Sequence, residues 1–327
     1  MMNEAKTIDV TALGELLIDF TQNGTSSQGN PLFEANPGGA PCNVLAMLTK
    51  LGHKTSFIGK VGNDMFGRML KDRSESVGID MTGLAMDNSV HTTLAFVQKL
   101  SNGDRDFSFY RKPGADIMLT AEEVRAHKDL IEKAKIFHLG TLSMTDDVVE
   151  RATKEALTIA KESGCIISFD PNYRAPLWES EEKAKEKMLF GLSMCDVLKI
   201  SDNEITFLTG KEDLDAGMRQ LIEQYEIPVA FATLGPDGSR MYYKGEMVEA
   251  AGFRNPATIE TTGAGDTFCA CALHFVLQYG LDGFNTERMR ELLTFANAAA
   301  SVITTRRGAL AVMPSKEEVE SFLASRS

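Results

Sequence analysis

The sequence lacks the features that mark membrane proteins and nucleic-acid-binding proteins. No run of about 18 or more apolar residues is present, so no transmembrane helix is expected. The N-terminus, MMNEAKTIDV, has neither the basic start nor the apolar core of a signal peptide. The net charge of −12 argues against a general affinity for nucleic acid or anionic membranes. We therefore expect a cytoplasmic protein with no nucleic-acid or membrane partner.

Cysteine is also scarce and scattered. Of the five cysteines, only Cys269 and Cys271 lie close together, and residues two apart on a helix point to different sides. With no second cysteine pair and no second histidine nearby, a metal site built on these thiols is not expected. Reduced, buried thiols fit the apolar runs around most of them. The remaining cysteines are Cys42, Cys165 and Cys195.

Familiar nucleotide-binding and hydrolase signatures are missing as well. There is no Gly-rich loop ending in Gly-Lys-Ser/Thr, no GxSxG and no HExxH. The segment GAGDTF has Phe268 where the dinucleotide motif needs its last glycine. A nicotinamide-dependent dehydrogenase is therefore disfavoured.

What the sequence does contain is a regular alternation of short β-rich runs and amphipathic helical patterns. Continuous apolar strands separated by helices indicate parallel strands joined by right-handed crossovers. We predict an α/β fold, doubly wound around a mainly parallel sheet with helices on both faces. The predicted strands are Ile8–Leu13, Thr55–Val61, Ile136–Leu139, Ile166–Asp170, Val197–Ile200 and Val229–Leu234, and the predicted helices include Ala121–Ala134, Asp146–Ser163 and Glu181–Ser193.

Two segments interrupt this alternation. Residues of about 16–35 and 90–113 read as alternating strands, and the second contains an Asn-Gly hairpin turn at Ser101–Asp104. They predict a small β-sheet beside the main one. With no internal repeat and no long linker, residues 1–327 are predicted to form a single domain that carries a flap.

The segment IETTGAGDTFCACALHF, residues 259–275, combines a small-residue loop with the start of a buried helix. The loop Gly263-Ala264-Gly265 would expose backbone N–H groups at the positive end of the helix dipole, an arrangement that binds phosphate. Asp266 follows directly. From this segment alone, Asp266 is either a helix-capping residue or part of an active site.

A second small-residue cluster, NPGGAPCN at residues 36–43, opens another predicted helix that runs to about Leu51. Gly38 and Gly39 would let the backbone approach a ligand closely or make a tight turn. Asn43 falls inside the first helical turn, where capping does not explain it and its amide can reach hydroxyl groups.

Together the two clusters resemble a known family. GGAPCNVLAMLTKLGHKTSFIGKVGND and TTGAGDTF are similar to the paired signatures of the PfkB, or ribokinase-like, carbohydrate kinases, and the resemblance covers nearly the whole chain, flap included. It implies a ribokinase-like fold with the flap as a lid. It also implies transfer of the γ-phosphoryl group of ATP to a sugar hydroxyl, with Asp266 as the catalytic base and Gly263, Ala264 and Gly265 as the anion hole.

The resemblance assigns further residues by their match to the family's motifs. Asn297 matches a position near the adenine, although an amide that packs helices remains the alternative. Ser201 stands where Asn is common, and Glu260 stands where Asp is usual, so the chain departs from the family's pattern at the Mg²⁺ and K⁺ positions. The implied sets are Asp19, Gly38, Gly39 and Asn43 for the sugar; Thr233, Gly235, Gly238 and Asn297 for the nucleotide; Glu204 for Mg²⁺ through water; and Glu260, Thr262 and Gly308 for K⁺.

Two further stretches bear on the substrate. FYRKPGADIML and FDPNYRAPLW, which begin at Phe109 and Phe169, resemble fructokinases in particular. In this interpretation Asp170 and Arg174 bind substrate, and Arg111 binds either the sugar or Asp116. Related 2-keto-3-deoxygluconate kinases carry similar patterns. Because an acid at Asp116 would disfavour an anionic substrate, fructose is preferred.

Other sugar kinases of the family and a sugar-sensing protein without turnover remain alternatives. A sensor needs a pocket but no base, so the intact Gly-Ala-Gly-Asp argues against it. The lid segments carry apolar residues on both sets of alternating positions, such as Leu94, Phe96, Phe107 and Phe109. A small flap cannot bury both faces, and the outer face therefore predicts a homodimer formed through the lids.

Overall fold

This computed structural model describes residues 6–99 and 105–326 of the chain. This part contains thirteen strands and eleven α-helices. The strands are β1 (Ile8–Leu13), β2 (Leu17–Thr25), β3 (Pro31–Gly38), β4 (Thr55–Gly62), β5 (Asp80–Asp87), β6 (Leu94–Lys99), β7 (Arg105–Tyr110), β8 (Ala134–Gly140), β9 (Ile166–Asp170), β10 (Val197–Ser201), β11 (Val229–Thr233), β12 (Gly238–Tyr243) and β13 (Glu246–Ala251). The helices are α1 (Ala40–Lys50), α2 (Met65–Ser76), α3 (Ala121–Ala126), α4 (Lys128–Glu132), α5 (Asp147–Glu162), α6 (Glu181–Leu192), α7 (Asp202–Thr209), α8 (Leu214–Tyr225), α9 (Ala264–Tyr279), α10 (Thr286–Ile303) and α11 (Lys316–Ala324).

The main sheet is the predicted parallel sheet. Within the described residues it has nine strands in the order β13-β12-β11-β10-β9-β8-β1-β4-β5. All neighbours run parallel except β11-β12 and β12-β13, which pair as antiparallel edge strands. Strand β1 lies between β4 and β8, with Val10 opposite Thr55 on one side and Ile136 on the other. The carboxyl ends of the parallel strands therefore meet along one edge, where open α/β sheets bind ligands.

Helices cover both faces of this sheet, as predicted. One apolar core contains the buried residues of α1, α9 and α10, including Phe268 and Leu292. The other lies under α5 and α6, and includes Phe137 and Phe169. The apolar positions of α5 recur on one side of the helix, with Val149, Ala152, Ala156 and Ala160 all buried, so the helix is held by this face.

The predicted small sheet is present and consists of β2, β3, β6 and β7. Its order is β3-β2-β6-β7, with β2 parallel to β6 and antiparallel pairing elsewhere. We call it the lid sheet. The predicted Asn-Gly turn at Ser101–Asp104 lies outside the described residues.

Some sequence-based boundaries were wrong. The single helix predicted at Ala121–Ala134 is two helices, because His127 leaves the helical conformation. The second helix ends at its C-cap, Lys133, and Ala134 begins β8 opposite Ile8. Strands β5, β12 and β13 were not predicted. The edge strands β5 and β13 leave many residues partly exposed, which weakens their apolar pattern. Strand β12 is mostly buried, but its first three residues, Gly-Ser-Arg, are not apolar.

Two expectations from composition can be compared with the structure. All five cysteine side chains are buried, as expected. In residues 6–99 and 105–326, none of the helices combines the length and apolar character needed to cross a bilayer.

Candidate active site

A cavity of about 880 Å³ lies at the carboxyl edge of the main sheet, between that sheet and the lid sheet. The ends of β10 and β11, the loop after β9 and the first turn of α9 form its base, which we call the cavity floor. From above, the lid sheet contributes Leu17, Asp19, Thr21, Val97 and Phe109. Nearly all of the predicted site residues line this one cavity, although they come from distant parts of the sequence.

The two small-residue clusters meet at Asp266. This residue lies in the first turn of α9 and is 8% exposed. Asn43, in the first turn of α1, donates from Nδ2 to Asp266 Oδ2 at 2.8 Å. Burial raises the pKa of Asp266, while the hydrogen bond from Asn43 and the charges of Lys199 and Arg174 oppose that rise. The net effect is a pKa above the usual value for an aspartate, which suits a carboxylate that accepts a proton.

The conformation at the start of α9 decides between the two interpretations of Asp266. The N-cap of α9 is Gly263, whose φ of 76° is left-handed, and no side chain caps the first turn. Asp266 therefore does not act as the capping residue. The first turn of α9, Gly263 to Asp266, faces the cavity and can bind an anion through its amides and the helix dipole.

On the lid side, Asp19 occupies space that only glycine leaves open. A Cβ at Gly38 would overlap Asp19 Oδ2, and a Cβ at Gly39, whose φ is 123°, would overlap the carbonyl oxygen of Glu15. Gly38 itself does not line the cavity, so its role is to admit the Asp19 carboxylate. Burial raises the pKa of Asp19 to about 7, against the opposing charge of Arg174.

Glu15 is a cavity residue that the sequence analysis did not identify. It is buried, lines the cavity, and accepts a hydrogen bond from the backbone N–H of Ala40 at 2.8 Å. Burial raises its pKa to about 7. An acid between Gly14 and the apolar run Leu16-Leu17-Ile18 was the available signal.

The segment after β9 splits into residues that face the cavity and one that does not. Arg174 lines the cavity, and Asn172 stands beside it with Oδ1 3.4 Å from Arg174 Nη2. Asp170 is fully buried behind the floor, where Oδ2 pairs with Lys199 Nζ at 3.0 Å. Asp170 was predicted to contact substrate directly, but it does not line the cavity and its carboxylate faces Lys199.

Arg111 likewise lies behind the cavity wall. Of the two partners considered for it, the structure provides Asp116: Arg111 Nε donates to Asp116 Oδ2 at 2.8 Å, and both side chains are buried. Nη1 donates to Thr145 and Nη2 to the carbonyl oxygen of Leu142. Neither Arg111 nor Asp116 lines the cavity. Asp116 therefore cannot repel an anionic substrate, and this part of the argument for fructose was wrong.

The predicted nucleotide residues line the opposite end of the cavity. Thr233 ends β11, and Gly235 and Gly238 hold left-handed backbone with φ of 56° and 120° in the turn that follows. Asn297 also lines this end, but its amide is committed to protein partners. Oδ1 accepts from Ser239, and Nδ2 donates to the carbonyl oxygens of Ala250 and Ala251. The packing alternative describes Asn297 better than a hydrogen bond to adenine.

The predicted cation residues line the cavity as well. Glu204 is buried and forms a capping box with Ser201, so Ser201 caps α7. Glu204 Oε1 also accepts a hydrogen bond from the Tyr173 N–H at 2.7 Å. Glu260 Oε1 accepts from the Gly308 N–H at 2.9 Å, which brings the predicted K⁺ residues together. Among residues 6–99 and 105–326, no three His, Cys, Asp or Glu side chains are arranged to hold a metal ion by themselves.

Comparisons with known proteins agree with this geometry. The model of the pfkB family carbohydrate kinases matches residues 7–316. Probable fructokinase-7 of Arabidopsis thaliana is 40% identical over 97% of this chain and 92% of its own length. Fructokinase-2 of Solanum lycopersicum is 37% identical over 96% of this chain and 95% of its own length.

Solved structures give the same result. The crystal structure of a fructokinase with bound ATP from Xylella fastidiosa superposes with a TM-score of 0.88 at 31% identity, covering 97% of this chain and 98% of that one. The predicted ribokinase-like fold, with its lid sheet, is thereby confirmed. The chain belongs to the pfkB family of carbohydrate kinases.

Proposed function

We propose that the protein is an ATP-dependent fructokinase that converts D-fructose and ATP into D-fructose 6-phosphate and ADP, with residues 1–327 acting as one kinase domain. The observation that carries the proposal is the buried carboxylate of Asp266 in the first turn of α9, beside the floor of a cavity that a lid sheet covers. Relatives at 37–40% identity over nearly the whole chain are fructokinases or probable fructokinases, which supports this substrate.

The chemistry follows from the arrangement of the floor. Asp266 accepts the proton from the attacking sugar hydroxyl, whose oxygen then bonds to the γ-phosphorus of ATP while ADP leaves. The N–H groups around Gly263, Ala264 and Gly265 stabilise charge on the transferring phosphoryl group, as preorganised donors do in such sites. Asn43 holds Asp266 in place through its 2.8 Å hydrogen bond.

The sugar end favours a neutral substrate. Glu15 and Asp19 line this end, and their carboxylates accept hydroxyl hydrogens but repel a substrate carboxylate. They replace Asp116 as the physical reason to prefer fructose over a keto-sugar acid. Arg174 is a basic group whose charge acts on both Asp19 and Asp266, and it is placed to bind phosphate oxygens.

At the other end, ATP occupies the cavity between the turn containing Gly235 and Gly238 and the first turn of α9. Glu204 lines the cavity, and both of its carboxylate oxygens already accept hydrogen bonds from the protein. It would therefore hold Mg²⁺ through water rather than directly. Mg²⁺ neutralises phosphate charge when bound. Glu260, Thr262 and Gly308 would hold K⁺, and a KCl titration of kcat tests that site.

One assay separates fructose kinase from the alternatives. ADP release, coupled to NADH oxidation, is measured over fructose, ribose, glucose, adenosine and 2-keto-3-deoxygluconate. We expect fructose to give the highest kcat/KM. A higher kcat/KM for the keto acid would show that the substrate is a keto-sugar acid, while the protein would still be a kinase. No ADP release with any sugar would favour the sugar-sensing protein.

We also propose that the protein forms a homodimer through the outer face of the lid sheet. On this face Phe96 stacks on Phe20 at 4.8 Å and contacts Phe33 and Tyr110 edge-on. Phe33 and Tyr110 remain 38% and 66% exposed. Such exposed apolar patches mark interfaces.

Light scattering tests the dimer. One chain has a mass of 35.8 kDa. Wild type should give twice this mass, and the Phe33→Asp/Tyr110→Asp double variant should give the mass of one chain. A monomeric wild type contradicts the dimer, and a double variant that stays dimeric contradicts the lid sheet as its interface.

A further inference from the structure

A buried lysine projects into the cavity from the floor, and none of the sequence motifs pointed to it. Lys199 lies in β10, and its side chain is 7% exposed. Its Nζ forms an ion pair with Asp170 Oδ2 at 3.0 Å. Lys199 lines the cavity and Asp170 does not, so Asp170 holds the ammonium from behind while the ammonium faces the reactants.

The ammonium lies against the proposed anion hole. A Cβ built on Gly265 would lie 3.2 Å from Lys199 Nζ, which places the ammonium alongside the first turn of α9. Asp266 belongs to the same turn, and the charge of Lys199 lowers the pKa of its carboxyl against the effect of burial. An ammonium has three N–H donors, and its ion pair with Asp170 leaves others for a ligand.

The charge of Lys199 is secure in this position. Burial alone would lower its pKa, but the negative charges of Asp170 and Glu204 outweigh burial and raise it. The floor would otherwise bring the carboxylates of Asp170, Glu204 and Asp266 close to the phosphates of ATP. A fixed cation between them offsets this repulsion without any rearrangement during the reaction.

We propose that Lys199 is a further catalytic residue, which donates a hydrogen bond from Nζ to a non-bridging oxygen of the phosphoryl group in transit. The inference rests on the proposed kinase reaction. The sugar hydroxyl gives its proton to Asp266, its oxygen bonds to phosphorus, and the bond from phosphorus to the bridging oxygen of ADP breaks, with the electron pair leaving on ADP. Lys199 keeps its protons throughout. Asp170 is a positioning residue that acts through Lys199.

The test removes the Lys199 ammonium alone, and also together with the negative charge of Asp170. Lys199→Met leaves the Asp170 charge buried and unpaired, so Lys199→Met/Asp170→Asn is made as well to limit the loss of stability. Lys60→Met is the matched control, because Lys60 is a buried strand lysine with a 3.0 Å ion pair to Asp87 and lies outside the cavity. We expect kcat to fall about hundredfold in both Lys199 variants, the usual scale for losing one such donor, with KM for fructose within threefold. Lys60→Met should keep kcat within twofold.

Binding of ADP with aluminium fluoride and Mg²⁺, a mimic of the phosphoryl group in transit, provides the second readout. Calorimetry should show at least tenfold weaker binding of this mimic to the double variant, while ADP alone binds as it does to wild type. A double variant that folds, binds the mimic normally and keeps kcat within threefold of wild type would overturn the proposal. If wild type lacks kinase activity with every sugar, the proposed function fails, and the binding comparison still decides the role of Lys199.

Discussion

The cavity floor and the lid sheet enclose the same space but are built in different ways. Asp266 belongs to a helix that is buried on nearly every side, and Asn43 and Lys199 reach it from two other buried elements. The lid sheet has one face on the cavity, while its outer face packs against Phe66 of α2 through Phe20 and is exposed at Tyr110 (66%). The difference places the chemical groups on buried elements and leaves the exclusion of water to a partly exposed sheet.

The largest difference between the two regions should appear when the base itself is removed. Asp266→Asn keeps the shape of the side chain but cannot accept the proton, so kcat should fall about hundredfold or more. Calorimetry should show fructose and ATP affinities within a few-fold of wild type, because the cavity is otherwise unchanged. Turnover near that of wild type would remove Asp266 from its role as the base.

Alanine variants of the two glycines at the ends of α9 distinguish a change in the geometry of the cavity floor from the effect of backbone strain alone. Gly263 has φ 76° and ψ −2°, and Gly280 has φ 69° and ψ −179°, so alanine at either position is strained by about 1–3 kcal/mol, and at Gly280 no less than at Gly263. A Cβ at Gly263 would also lie 2.6 Å from the Cβ of Ala309, whereas Gly280 has open space. We expect Gly263→Ala to lower kcat about thirtyfold, within the range for a displaced anion hole, and Gly280→Ala to leave it unchanged. Equal kcat values, from initial rates at saturating substrates, would show that the conformation of Gly263 is not needed for turnover.

The lid sheet depends on its attachment, and Arg111 is the residue that tests it. Arg111 follows β7 and pairs with Asp116, whose Oδ1 accepts from Thr93 just before β6. Arg111→Met leaves Asp116 buried and unpaired, which should destabilise the fold by about 3 kcal/mol. With β6 and β7 less firmly attached, we expect KM for fructose to rise about tenfold and ATP hydrolysis without sugar to increase.

Arg219→Met is the control for this variant, because Arg219 forms an exposed ion pair with Asp215 that contributes little. It should change neither urea stability nor KM appreciably. If Arg111→Met matches Arg219→Met in both measurements, the Arg111–Asp116 pair does not anchor the lid sheet.

The smallest expected effect is on pH dependence and concerns Asp19 on the lid side. Burial raises the pKa of Asp19 to about 7, so its sugar-binding carboxylate is ionised above that pH and becomes protonated as the pH falls through it. Burial also raises the pKa of Asp266, which acts in the same direction. We expect kcat/KM for fructose to fall at least about fivefold from pH 7 to pH 6. One group with this pKa gives about fivefold, and protonation of Glu15, whose pKa burial also raises to about 7, acts in the same direction. In Asp19→Asn the fall should be smaller; a wild-type profile that stays flat to pH 5 would contradict the account.

The floor and the lid sheet also differ in how far the sequence predicted them. The anion-binding turn and Asp266 belong to a short contiguous motif, and Asn43 belongs to another. Local chemistry marked these residues as candidates, and the resemblance of the two motifs to the family assigned their roles. The lid strands followed from their alternation. Glu15 and Lys199 escaped notice because each is a single charge inside an apolar strand-like run, and its meaning depends on which distant residues fold against it. Asp170 was assigned to substrate, and Arg111 was left between the sugar and Asp116, since a sequence does not tell whether a charge faces a ligand or a buried partner.

The account rests on phosphoryl transfer from ATP to fructose in this cavity, and the product of the reaction tests that most directly. The protein is incubated with fructose, ATP and Mg²⁺, and the mixture is followed by ³¹P nuclear magnetic resonance. The account predicts fructose 6-phosphate and ADP in equal amounts. ADP without a sugar phosphate, or no ADP from correctly folded protein, would contradict it.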